Sequence, residues 1–118
     1  MNLETRLEIL HSSSVIDTDT KDIMIKIINM FKDKYNIILT EENASMMITH
    51  ISMAIMRVKK NEDIKSIDVS AYQEILENEN YKKVLEIYDD ILSISNISFP
   101  EDEKKYILVN ICVILENI

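Results

Sequence analysis

The chain has 118 residues, 47% of them hydrophobic, the length of one ordinary domain with enough apolar side chain to bury a core. The 13 Lys and Arg stand against 21 Asp and Glu, and a net charge of −8 disfavours nonspecific attraction to phosphate backbones or anionic lipid, so nucleic acid is a poor candidate partner. Glycine is absent, which removes the Gly-rich phosphate loops of nucleotide-binding folds and the Gly-containing turns of many β proteins; an all-α chain suits that composition.

No stretch approaches the roughly 18 to 20 uncharged apolar residues that span a bilayer, and the start, "MNLETRLEIL", carries two glutamates where a signal peptide would be basic; no membrane segment and a cytoplasmic location are expected. Leu3, Leu7 and Leu10 mark a short first helix that breaks at "SSS". Beyond N-cap candidates between Asp17 and Thr20, Ile23, Ile27, Phe31 and Tyr35 recur at steps of four and predict an amphipathic helix. Thr40 followed by "EEN" starts another that runs to about Lys60, its acidic pair at the positive end of the helix dipole. Asp68 is placed to cap a shorter helix through "VSAYQEILE", and Val84, Ile87, Ile91 and Ile94 mark the next. Phe99 and Pro100 precede "EDE" and the last helix, with Pro100 at the first helical position, where its missing N–H costs nothing. Without glycine the helices need another residue for the left-handed cap, and asparagine stands where each should stop, at Asn36, Asn61 and Asn96. The single cysteine, Cys112, lies in the apolar run "YILVNICVIL" and reads as a buried, inert thiol with no catalytic role.

Residues 36–51, "NIILTEENASMMITHI", align without a gap on residues 96–111, "NISFPEDEKKYILVNI", 60 positions later. Asn36/Asn96, Ile37/Ile97, Leu39/Phe99, Glu41/Glu101, Glu42/Asp102 and Ile51/Ile111 match in type, and Ile27/Ile87 and Phe31/Ile91 keep the register in the preceding helices. Two helical hairpins of one design follow, packed on each other because a lone hairpin cannot bury its apolar face. His50 and Asn110 occupy equivalent positions of this repeat.

His50 sits in the apolar run "MMITHISMAIMR", with Asn43, Met46, Met53, Ala54 and Arg57 on its side of the helix and Ser45, Thr49, Ser52 and Lys59 on a more polar flank. By periodicity it reads as a core imidazole satisfied by a hydrogen bond. A chemical reading stands beside it: a neutral imidazole has a ring nitrogen lone pair that accepts a phosphoryl group, with Arg57 two turns along to pair with the dianion. Arg57 reads equally as a cation of the last helical turn, with Lys59 and Lys60. His11, His50 and Cys112 have no metal-ligand spacing, so no metal and no cofactor is expected, nor any enzyme constellation.

"LTEENASMMITHISMAIMRVKKNE" and "FPEDEKKYILVNICVILEN" resemble the PTS regulation domain (PRD), the helical module of transcriptional regulators controlled by the sugar phosphotransferase system, over about Asp17 to Asn117; the most specific part is "HISMAIMR" after the "LTEEN" helix start. The resemblance implies a compact five-helix bundle of two antiparallel helical hairpins, here with an extra short N-terminal helix, in one domain spanning residues 1–118. It implies His50 as phosphoacceptor, with the histidine-containing phosphocarrier or an enzyme II B domain as phosphodonor, Arg57 as the family's arginine, and a homodimer. Asn110 stands where the family pattern has its second histidine and cannot accept phosphate, so it marks a degenerate second site. The chain also lacks room for the RNA- or DNA-binding domain that family regulators usually carry, so direct nucleic-acid binding is not expected. The expected function is regulation through phosphorylation of His50 and protein–protein contact; the alternative is a phosphate-independent helical adaptor or dimerisation module.

Overall fold

The computed structural model describes residues 1–64 and 69–118, with Val69 as backbone only. Six α-helices are described: α1 Leu3–Ser12, α2 Thr18–Tyr35, α3 Glu41–Lys60, α4 Val69–Leu76, α5 Tyr81–Ser95 and α6 Glu101–Glu116. That is one more than the five-helix bundle implied by resemblance. The additional helix is integral: Leu3 and Leu7 of α1 are buried in the common core, and α1 packs on both α2 and α3. The expected cap at Asp68 lies outside the described residues.

Local chemistry sets each boundary. Asn2 and Asp17 cap α1 and α2 by accepting the N–H of Thr5 and of Thr20, each at 2.8 Å. Thr40 and Asn43 form a reciprocal capping box at the start of α3. Pro100 stands one residue earlier than expected, as the N-cap of α6 rather than its first turn. At the other ends, Asn36, Asn61 and Asn96 adopt φ/ψ of 56/35°, 59/40° and 54/37°, the left-handed conformation expected of them. Asparagine tolerates it better than other residues with a Cβ because its short polar side chain can hydrogen-bond locally and so offset the steric cost.

The turns at 36–40 and 96–100 fold α3 back along α2 and α6 back along α5. The hairpins then join like on like, α2 against α5 and α3 against α6, with α4 on α6. Burial follows the 60-residue register: Met24/Val84, Ile27/Ile87, Phe31/Ile91, Met47/Ile107, Ile48/Leu108 and Ile51/Ile111 are all at most 1% exposed. Ser52, assigned to a polar flank by spacing, is buried instead; its hydroxyl donates to the Ile48 carbonyl at 2.7 Å, and its counterpart is the buried Cys112. Among the described residues no helix is long and apolar enough to cross a membrane.

Two expectations follow from this architecture. Ile51→Ala and Ile111→Ala, at the centres of the matched helices, should each cost about 3 kcal/mol in urea unfolding. Asn96→Val should cost about 1–2 kcal/mol while Asn96→Gly stays within about 0.5 kcal/mol of the parent; equal losses for the two would refute the left-handed role of the cap.

Candidate functional site

His50 lies midway along α3 and faces α6. Its ring stacks on Tyr106, with centroids 5.1 Å apart and planes 26° from parallel. Its Nε2 is buried, has no hydrogen-bond partner among the described residues, and lies 3.9 Å from Oε1 of Glu103, too far for a bond. The side chain keeps 25% of its surface exposed. It is therefore not the hydrogen-bonded core imidazole that periodicity alone suggests.

Glu103 organises this contact. It stands at steps of four with Ile107, Ile111 and Leu115, so α6 turns its carboxylate inward with the apolar stripe, and it is 1% exposed. A buried carboxylate needs a partner, and Arg57 of α3 supplies one in fork geometry: Nε donates to Oε2 at 2.7 Å and Nη2 to Oε1 at 3.0 Å. Arg57 is thus an interhelix tie, beyond a cation at a helix end. A second arginine arrives from α1, where Arg6 holds Glu41 through Nε at 3.0 and 3.1 Å and donates from Nη1 to Thr49 Oγ1 at 3.2 Å. Arg6, Thr49, His50, Met53, Arg57 and Tyr106 open on one depression of about 640 Å3.

The structure brings His50 and Arg57 together as expected and places Asn110 elsewhere. Asn110 lines a neighbouring depression of about 520 Å3 with Glu42, Asn43, Met46, Val109, Val113 and Asn117. This second depression is the first one carried through the repeat: His50 becomes Asn110, Arg57 becomes Asn117, Glu103 becomes Asn43 and Tyr106 becomes Met46. Each asparagine is occupied by local backbone, Asn110 donating to the Tyr106 carbonyl at 2.9 Å, Asn117 to that of Val113 at 2.7 Å and Asn43 to that of Ile38 at 3.1 Å. The two depressions share Ser45 and Met46 as a common wall. His11 is remote from both in role, bonded through Nε2 to Thr18 Oγ1 at 2.9 Å.

Glu103, Tyr106 and Arg6 were not assigned to the site by sequence. Glu103 carried a usable signal, since a carboxylate in register with three buried positions must find a partner. Tyr106 lies within "FPEDEKKY" but bears no mark of stacking, and Arg6 meets Glu41 across 35 positions of chain, a contact that no local pattern encodes.

Burial pushes the His50 pKa below its ordinary 6.5, helped by the positive charge of Arg57 and opposed by Glu103, so the neutral ring is favoured. The folded chain then resists a proton that the unfolded chain accepts, and stability falls as pH drops below 6.5. His50→Gln should flatten the dependence of the urea midpoint on pH between about 7.5 and 5.5. Arg57→Ala, which strands the Glu103 carboxylate, should cost on the order of 3 kcal/mol, with Arg57→Met/Glu103→Leu recovering most of it.

Known proteins share this arrangement of sequence. A family model for the PRD domain matches residues 25–111. The chain is 26% identical over 109 residues to the uncharacterized protein YhfY of Escherichia coli strain K12, covering 92% of this chain and 91% of that protein. No solved structure matches it. With the matched segment taking in α3 whole and α6 through Ile111, the chain belongs to the PRD domain family.

Proposed function

We propose that this chain is a regulatory module of the sugar phosphotransferase system that takes a phosphoryl group on His50 and passes the change on by protein–protein contact. The observation that carries the reading is a partly exposed imidazole, its buried Nε2 without a hydrogen-bond partner among the described residues, in a depression flanked by two arginines, with burial favouring the neutral ring. A proton on Nε2, toward the Glu103 carboxylate, leaves the lone pair on Nδ1. The donor is a phosphohistidine or phosphocysteine of a phosphotransferase carrier, the phosphocarrier or an enzyme II B domain. Its P–N or P–S bond breaks as the N–P bond to His50 forms, the donor atom leaves with the electron pair, and the His50 ring proton passes to solvent.

Phosphate adds about −1.5 to −2 charge to a depression whose two ion pairs otherwise balance. That charge alters the surface offered to a partner or to a second copy of the chain, the homodimer usual in the family. Asn110, in this reading, is the silent counterpart of the acceptor. The apolar rim of the depression around it also supports a second reading, a phosphate-independent adaptor, because Met46 and Val113 there are 79% and 48% exposed.

Incubation with phosphoenolpyruvate, enzyme I and the phosphocarrier, with an enzyme II B domain in a parallel arm, should give an acid-labile mass gain of one phosphoryl group, absent in His50→Gln and retained in Asn110→Ala. No gain in the parent chain rejects the phosphoacceptor reading. Partner binding or dimerisation that is identical in the parent, its phosphorylated form and His50→Gln selects the adaptor.

A further inference from the structure

Two arginines face the depression, and they differ in what holds them. Arg57 is tied to Glu103, which is 1% exposed; withdrawing Arg57 would leave a buried carboxylate with neither partner nor water. Arg6 is tied to Glu41, which is 18% exposed, in the first turn of α3. Glu41 released there regains water and keeps the favourable N-terminal end of the helix dipole. The two guanidinium groups are thus unequal in what their release costs, and the more available one comes from α1, outside the residues 25–111 that define the family match.

We infer that Arg6, rather than Arg57, is the cation that moves onto a phosphoryl group at His50, exchanging Glu41 for the phosphate while Arg57 stays on Glu103. The inference rests on phosphorylation of His50 as proposed above. Free phosphate would compete poorly with a carboxylate already in place, but a phosphoryl group attached to His50 is held beside Arg6 at high effective concentration. Thr49, adjacent to His50 in sequence and already accepting from Arg6 Nη1 at 3.2 Å, keeps the guanidinium over this turn of α3 during the exchange. Among the described residues, the charges around the acceptor are then Arg6 from α1, Arg57 and Glu41 from α3 and Glu103 from α6. Arg6 is the only one of the two cations whose departure exposes its old partner to water instead of burying it alone. The modification is thereby transmitted to α1, since Arg6 changes its partner when His50 changes its charge.

The test uses the full chain with His11→Gln, so that His50 is the single histidine, and two phosphoryl sources: potassium phosphoramidate, from which ammonia leaves carrying the ring proton, and the phosphotransferase carriers. The phosphohistidine 31P resonance is titrated with pH. Arg6→Gln should raise the midpoint of the second phosphoryl ionisation by about one pH unit, Arg6→Lys should restore part of the shift, Glu41→Gln should lower the midpoint, and Arg57→Gln/Glu103→Gln should stay within about 0.3 unit of the parent. A midpoint unchanged in Arg6→Gln, or one raised only in the Arg57→Gln/Glu103→Gln chain, overturns the role of Arg6 and leaves the phosphoacceptor reading standing. Absence of phosphohistidine on the parent with both sources overturns both.

Discussion

The buried carboxylate of Glu103 is the constraint from which the rest of the site follows. An ionised oxygen pair without water demands a fixed counter-charge, and the geometry of a guanidinium fork meets that demand only if α3 and α6 hold one register and one separation. Once that register is set, Tyr106 falls on the face of His50, Nε2 is turned into the protein, and Arg57 is committed. Burial and a neighbouring cation both disfavour a proton on the imidazole, so its neutral form is favoured by packing rather than by a dedicated base.

The second depression shows what the same backbone looks like without that constraint. Its three asparagines stand where a histidine, an arginine and a glutamate stand in the first, and each has turned to a nearby carbonyl. The whole charged set is absent there, beyond the loss of one histidine. A lone acceptor at Asn110 would have no charged partners in register, which explains on physical grounds why the three positions differ together.

Much of the fold was legible in the chain itself. Helix periodicity, the lack of glycine and the spacing of Asn36, Asn61 and Asn96 are local properties, and local rules place them correctly. The repeat was legible because it is a comparison of the chain with itself. Ser52 was misjudged because a hydroxyl can satisfy itself on its own helix and then enter the core like the cysteine it corresponds to. The first helix was legible, but the five-helix bundle implied by the resemblance leaves it outside as an extra; Leu3 and Leu7 of α1 belong to the common core, which a short amphipathic segment does not reveal before its packing is known. In the site, His50 and Arg57 could be found from one helix; Glu103, Tyr106 and Arg6 required knowing which helices touch.

The wall formed by Ser45 and Met46 has a final consequence. It is part of one turn of α3, with one side in the His50 depression and the other in the Asn110 depression. Only the thickness of a single methionine therefore separates a molecule resting against the Asn110 side from the His50 side. Coupling between the two depressions needs no relay across the bundle, because the repeat has set them back to back on the same turn of helix.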